Sequence, residues 1–307
     1  MGHRVEVRHY GLGFAFVLLM VVSATVLHDQ ELILPEIGAL TAGTWIYQNP
    51  SWIHQPSKIF LAPSGTAIIG FLINQLPWAY PAKIWLGLLL MLVLLWGLKS
   101  NLAPSFATGL LPIIINATHW SFIAAILIFT LCLMLGVYAQ GQFRQSAAGE
   151  PIQGRHMGLF VVLVSLWVAG VWLAEVPQMA GIPPVLVVFF EVLQKPQYAA
   201  KLAGRQWLAL TGAATLGFAV HVLIGTWALA ALVTLPLVFI WLQVLRLKLP
   251  AAYAFPLLAL VLPADMFRVL PLSAGLAAAF FLGSLLAVHR VRDWWDARPA
   301  VENSEVR

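Results

Sequence analysis

Eight long apolar runs, separated by short polar turns, dominate this chain. They cover about residues 11–27, 58–76, 83–99, 119–139, 157–175, 205–223, 226–246 and 270–290. A helix needs about 20 apolar residues to cross a lipid bilayer. Only 9% of the residues are charged, against about 25% in a soluble domain. The sequence therefore predicts an all-α polytopic protein whose partner is the lipid bilayer. It excludes soluble and nucleic-acid-binding classes, although the pI is near 9.6.

Four shorter apolar pieces, each marked by Gly or Pro, lie between the long runs at 35–47, 104–116, 182–194 and 251–263. A helix of that length reaches about 20 Å, which is short of the bilayer core of about 30 Å. We expect these pieces to be broken or partly extended and to be shielded by the long helices. Each half of the chain then reads long, short, long, long, short, long.

The two halves repeat one another at an offset of 147 residues. Pro35–Leu76 then aligns with Ile182–Leu223 without a gap, and Gly65 and Gly70 fall on Gly212 and Gly217. Together with Ala67 and Ala214 these glycines predict small-residue helix faces that allow close packing. Two copies of one membrane unit are a common layout of transporters. The predicted organisation is a first repeat at 1–139, a linker at 140–156, a second repeat at 157–290 and a tail at 291–307.

The distribution of charge predicts the orientation of the chain. If all twelve segments cross and the N-terminus is cytoplasmic, every one of the 17 basic residues except Lys83 and Arg268 lies inside. Such an excess of Lys and Arg is typical of cytoplasmic turns. Six crossings per half make the repeats parallel, with both chain ends cytoplasmic. The first run has an equivalent at 158–173, which favours a membrane helix over a signal peptide. We expect a multi-pass protein of the bacterial cytoplasmic membrane.

One region resembles the HPP family of membrane proteins. The residues that carry the resemblance are Leu102–Pro112, Trp120–Phe122, Gln55–Pro56 and Ala67–Gly70. The motif His and first motif Pro of that family are replaced by Leu102 and Ala103. The family has been linked to nitrite transport in photosynthetic organisms, so the resemblance implies a small-anion transporter. The pattern is also similar to that of aromatic-acid exporters, in which a short Pro/Gly-marked piece precedes a small-residue helix.

Ionisable or strongly polar residues within the apolar segments are the candidate functional groups, because placing them in a membrane is costly. Glu191 lies in the middle of the third short segment and is a candidate proton-coupling carboxylate or cation ligand. Alternatively, its side chain reaches the membrane interface or pairs with Lys195 one turn on. His221 aligns with Asn74 across the repeat. The two could meet to bind an anion or relay protons, or each could simply join helices.

Four further residues complete the candidate set. Lys58 and Arg205 occupy matched positions at the cytoplasmic mouth, where they would attract an anion or anchor the chain at the membrane surface. Thr108 and Asn116 are polar positions of the second short segment. Glu36 is interpreted as a carboxylate at a helix N-terminus, stabilised by the helix dipole.

The favoured function is secondary transport of a small anionic solute. The histidines show no ligand spacing for a metal, and no phosphate loop or catalytic arrangement is present. We therefore expect no cofactor, no metal and no enzymatic activity. A lipid-handling protein, such as a flippase or a membrane-embedded enzyme, and a non-transporting assembly subunit are the alternatives. Whether the protein forms a homo-oligomer stays open.

Overall fold

The structure is a computed structural model that describes residues 2–145, 154–195 and 197–296. Within these ranges the chain is helical and contains no strand. This confirms the predicted all-α class, and eight of the helices are long and apolar enough to cross a membrane, as a polytopic membrane protein requires. The helices are α1 (Gly2–Leu27), α2 (Pro35–Thr41, continued by a π-helical turn at Ala42–Ile46), α3 (Pro50–Ile53), α4 (Ser57–Asn74), α5 (Tyr80–Gly97), α6 (Pro104–Ile114), α7 (Trp120–Gln140), α8 (Gly154–Leu173), α9 (Pro183–Leu193), α10 (Ala200–Leu223), α11 (Trp227–Val244), α12 (Ala254–Val261) and α13 (Ala264–Asp296).

The predicted boundaries agree closely with these helices, except that α1, α10 and α13 begin earlier than predicted and α13 also ends later. Helix α1 begins at Gly2 and α13 runs to Asp296, so both extend beyond the apolar runs that predicted them. Hydropathy marks only the part of a helix that needs an apolar environment, whereas a helix can continue into water. Residues 146–153 of the predicted linker and residues 297–307 of the predicted tail lie outside the described ranges.

The short helices form the centre of the molecule. Every residue of α6 and of α12 is buried, and so is every residue of α9 except Glu191. A helix that is apolar on all sides is stable only when it is surrounded by other elements. Helix α2 packs against α6 and α12, and α6 packs against α9. The long helices surround this group and leave large apolar side chains such as Leu19, Leu135 and Leu173 exposed, as a lipid-facing surface requires.

Helix α6 carries the chain between the two ends of α4. At one end, Lys58 Nζ donates a hydrogen bond to the backbone oxygen of Lys99 (2.5 Å). At the other end, Asn74 Nδ2 donates to Asn116 Oδ1 (3.1 Å) and to the backbone oxygen of Ala117 (3.0 Å). Because α6 lies between Lys99 and Asn116 in the sequence, this short helix and its flanking residues span the full length of α4.

The segment that contains α2 spans the molecule in the same way, alongside α7. The Glu31 carboxylate accepts hydrogen bonds from the backbone N–H groups of Thr118 and His119, both at 3.0 Å, where α7 begins. Gln48 Nε2 donates to Gln140 Oε1 (3.1 Å), where α7 ends. Helix α7 has 21 residues and is therefore about 31 Å long. We call the end with Lys58, Lys99 and Gln140 the basic end, and the end with Glu31 and Asn74 the acidic end.

Several local features recur at the sequence offset of 147. Left-handed residues follow helices at His28 (φ 54°) and Glu175 (φ 60°), and again at Lys99 and Arg246 (both φ 50°). Matched elements include the 3-10 turns Gln30–Leu32 and Pro177–Met179, and the 18-residue helices α5 and α11.

The packing between the halves is reciprocal. Helix α1 packs against α11, and α8 packs against α5. Likewise α2 packs against α12, and α9 packs against α6. These main contacts between the halves thus come in pairs in which the halves are exchanged.

Candidate functional site

A cavity of about 440 Å³ lies between the two halves at the basic end. The first half lines it with Asn49, Ser51, Trp52 and Asn101, and the second half with Glu191, Gln194, Lys195, Gln206, Lys248, Leu249 and Pro250. The cavity lies at the ends of three central short helices, where α9 ends and where α6 and α12 begin. Helix α9 ends on it, and the turns before α6 and α12 contribute Asn101 and Lys248.

The wall carries an excess of positive charge. Among the described residues that line the cavity, Glu191 is the one carboxylate, while Lys195 and Lys248 are cations. The Lys248 ammonium lies 5.9 Å from the centroid of the Tyr47 ring, a distance at which a cation and a ring attract each other. An anion that enters this cavity therefore meets two cationic groups.

Glu191 occupies the last turn of α9 and not the middle of its segment. Lys195, one helical turn further on, is near enough to attract its charge, so the pairing of these two residues stays a prediction. A carboxylate near the C-terminus of a helix faces the negative end of the helix dipole. The attraction of Lys195 acts against this unfavourable position at the helix end.

Two amide side chains are held with their N–H groups available to the cavity. Gln206 is buried, and its Oε1 accepts a hydrogen bond from the Tyr198 hydroxyl (2.8 Å). Burial raises the pKa of Tyr198, which keeps this hydroxyl a donor. Asn49 Oδ1 accepts from the backbone N–H and from Oγ of Ser51 (3.2 and 2.9 Å). In both amides the oxygen is used, and the nitrogen is left as a donor for a solute.

The predicted pairing of Asn74 with His221 does not occur. Asn74 is bound to Asn116 and Ala117 at the acidic end. His221 packs edge-on against Phe267, with 5.3 Å between the ring centroids, and its Nδ1 has no hydrogen-bond partner. The two side chains belong to different helix pairs, because each half packs its own helices at that end. Neither residue lines the cavity.

Lys58 and Arg205 are equivalent in structure, but they do not converge. Lys58 binds the backbone oxygen of Lys99. Arg205 Nε binds the backbone oxygen of Leu245 (2.9 Å), and its Nη2 binds that of Arg246 (2.7 Å). Each cation therefore satisfies backbone oxygens where a neighbouring long helix ends, as basic side chains commonly do.

Of the remaining predicted residues, Thr108 and Asn116 join helices, whereas Glu36 is buried at the start of α2. Thr108 is fully buried, and its Oγ1 lies 3.3 Å from Oγ1 of Thr66 on α4. Asn116 adopts a left-handed conformation (φ 52°) after α6 and accepts the hydrogen bond of Asn74. Glu36 is the second residue of α2, is 1% exposed, and has no hydrogen-bond partner at Oε1.

Several residues of the cavity wall were not identified from the sequence. They are Asn49, Ser51, Asn101, Gln206 and Lys248. One signal was present, since Asn101 and Lys248 are separated by the repeat offset of 147. The others lie in turns and helix ends that only the packing of distant segments brings together.

Comparison with known proteins adds no assignment to this site. No family model matches the chain, no curated protein matches it, and no solved structure matches it. The resemblance to the HPP family therefore stays a prediction. In the part of the chain that the structure describes, no group of three His, Cys, Asp or Glu side chains is arranged to hold a metal ion.

Proposed function

We propose that this protein is a secondary transporter of a small anionic solute. The observation that carries the proposal is the cavity of about 440 Å³ between the halves. Its volume lies within the range of about 300–1,000 Å³ that small-molecule sites occupy. Its wall combines two lysines with amide donors, and these groups bind carboxylates, phosphates and other oxyanions.

The internal repetition supports transport as the function of this cavity. We infer that the halves are parallel repeats of six crossings each. The inference is supported by the sequence offset, by the left-handed residues at matched positions and by the reciprocal packing of the halves. Transporters built from repeats commonly bind their solute at the interface between the repeats, and this cavity lies at that interface.

The basic end is proposed to face the cytoplasm, because Lys and Arg are enriched on that side of membrane proteins. The solute cavity would then be accessible from inside. At the acidic end the Glu31 carboxylate holds the start of α7. An inward-facing conformation, closed at the acidic end, is consistent with both features.

Cysteine labelling in whole cells tests this orientation. In a Cys132→Ser background, Ser57→Cys places a thiol at the exposed basic end and Gln75→Cys places one at the exposed acidic end. A membrane-impermeant maleimide is expected to label Gln75→Cys in intact cells, and Ser57→Cys only after the membrane is permeabilised. The reverse pattern would place the basic end outside.

Blocking the cavity tests transport itself. Purified protein in liposomes is expected to take up at least one labelled anion from a panel of nitrite, nitrate, phosphate, acetate and benzoate faster than protein-free liposomes. In the Cys132→Ser background, Ser51→Cys treated with a sulfonate-bearing thiol reagent is expected to lose this uptake, because the reagent fills the cavity with negative charge.

The matched control is Ser57→Cys, which is exposed at the same end but does not line the cavity. It is expected to retain uptake after the same treatment. Transport by this route is ruled out if no anion of the panel is taken up, or if both modified variants transport normally.

A further inference from the structure

A second, smaller cavity of about 50 Å³ lies beside the large one at the basic end. It is formed where the segment around α3 meets the turn between α5 and α6. The two cavities share Ser51, Trp52 and Asn101 as lining residues. The small cavity is thus a side chamber of the same interface, and it is built entirely from the first half.

The charged side chains of this chamber are cationic. Lys58 and Lys99 line it together with His54, and no carboxylate is among its described lining residues. Ser51, Ser100, Gln55 and Asn101 supply hydroxyl and amide groups. A chamber with two ammonium groups, several neutral donors and no acid is suited to an anion with several oxygen acceptors.

Local structure holds the two lysines in place. Lys58 Nζ uses one of its three protons on the backbone oxygen of Lys99, which leaves two for a ligand. Lys99 adopts a left-handed conformation (φ 50°) directly after α5, and the chain turns there toward Ser100. Ser100 Oγ accepts a hydrogen bond from the backbone N–H of Leu102 (3.4 Å), which fixes this turn ahead of the positive end of α6.

The volume of the chamber limits the ligand to a group of a few heavy atoms. A cavity needs about 10–15 Å³ of such volume for one water molecule, so a chamber of about 50 Å³ has room for roughly three to five water-sized atoms, as many as a phosphate-sized group contains. Such a group belongs either to a free anion or to the headgroup of an anionic lipid. The chemistry required of the chamber is the same in both cases.

The second half provides a matched comparison. Arg205 and Arg246 stand at the positions offset by 147 from Lys58 and Lys99, and Arg205 makes the equivalent hydrogen bond to the backbone oxygen of Arg246. Neither arginine lines either of the two cavities. Positive charge at the basic end is therefore common to both halves, whereas the residues that line this chamber all belong to the first half.

We propose that this chamber, formed around Lys58 and Lys99, binds a small oxyanion such as a phosphate group. The proposal does not depend on transport, because binding is measured in the absence of any flux. If the protein is a transporter, the shared residues Ser51, Trp52 and Asn101 make the chamber a docking site for the anionic group of the solute at the mouth of the large cavity.

Binding to the purified full chain tests the proposal. The first arm titrates inorganic phosphate into protein in neutral detergent and records the midpoint of thermal unfolding. The second arm compares nanodiscs of phosphatidylcholine with nanodiscs that also contain phosphatidylglycerol. Wild-type protein is expected to be stabilised in at least one arm. A response to phosphate identifies a free-anion site, and a response confined to phosphatidylglycerol identifies a lipid-headgroup site.

Paired variants separate the chamber from general surface charge. The double variant Lys58→Gln/Lys99→Gln is expected to need at least about tenfold more ligand for the same rise in the unfolding midpoint, because it removes two charge-assisted contacts. Arg205→Gln/Arg246→Gln loses the same charge at the same end and is expected to respond like wild type. Lys58→Arg/Lys99→Arg keeps the charge and checks that a loss is not a failure to fold. Equal loss in both glutamine pairs, or no response of the wild type in either arm, overturns the proposal.

Discussion

Replacement of Glu191 by glutamine is expected to abolish proton-dependent uptake and to leave a folded protein. Glutamine keeps the shape and hydrogen-bonding capacity of the side chain but cannot exchange a proton. Glu191 is the one carboxylate among the described residues of the cavity wall. The substitution also removes the attraction between this carboxylate and Lys195, so the folding of the variant has to be checked directly. Uptake driven by a proton gradient should fall to the rate of protein-free liposomes.

The control for this experiment is Glu175→Gln. Glu175 is exposed, follows α8 at the acidic end and lies away from the cavity. The Glu175→Gln variant loses the same charge from the same half of the chain and is expected to transport normally. Gel filtration and the thermal unfolding midpoint establish that both variants fold. Normal proton-driven uptake by Glu191→Gln would remove this carboxylate from the coupling mechanism.

Replacement of Gly70 by alanine is expected to destabilise the protein more than the same replacement of Gly217 or Gly204. A Cβ atom at Gly70 would lie 1.7 Å from the backbone oxygen of Gly109 on α6. Backbone atoms cannot move aside as a flexible side chain can, so α4 and α6 would have to separate. Overpacking of this kind costs about 1–3 kcal/mol and occasionally more. It acts on the contact that places α6, and hence Asn101, beside the cavity.

Two other glycines provide a graded comparison. Gly217 is the counterpart of Gly70 in α10, and its added Cβ would lie 3.0 Å from the backbone oxygen of Phe255. Gly204, also in α10, would place a Cβ in open space. The loss of thermal stability in detergent is expected to be largest for Gly70→Ala, smaller for Gly217→Ala and absent for Gly204→Ala. A Gly70→Ala protein as stable as the Gly204→Ala protein would contradict the close contact of α4 with α6.

The glycines also illustrate what a sequence pattern predicts well. Gly65 and Gly212 were predicted to lie on faces that allow close helix packing. In the structure an added Cβ at Gly65 would contact Leu94, and one at Gly212 would contact Trp241. The pattern indicates that something approaches each glycine closely. It does not indicate whether the approaching group is a side chain or a backbone, and this difference determines how severe a substitution will be.

The candidate site was only partly predictable. Glu191 was recognisable because a carboxylate within an apolar segment is costly and therefore rare. Asn74 and His221 satisfied the same criterion, yet each contacts only residues of its own half, at the end of the molecule remote from the cavity. Matched positions in the two repeats predict that two residues lie at the same depth in the membrane. They do not determine which faces of the two helices contact each other. That depends on the packing of α4 and α10 against their neighbours.

Hydropathy along the chain was enough to predict the all-α polytopic class. It also gave the positions of the eight long and four short apolar segments. These properties depend on local hydropathy and on Pro and Gly, both of which are read one segment at a time. Shielding of the short segments by the long helices was also expected from their length, whereas the cavity enclosed by their ends follows only from the tertiary packing. Its wall brings Asn49 and Asn101 together with Gln206 and Lys248. Residues so far apart in the chain become neighbours only through packing, which no local pattern encodes.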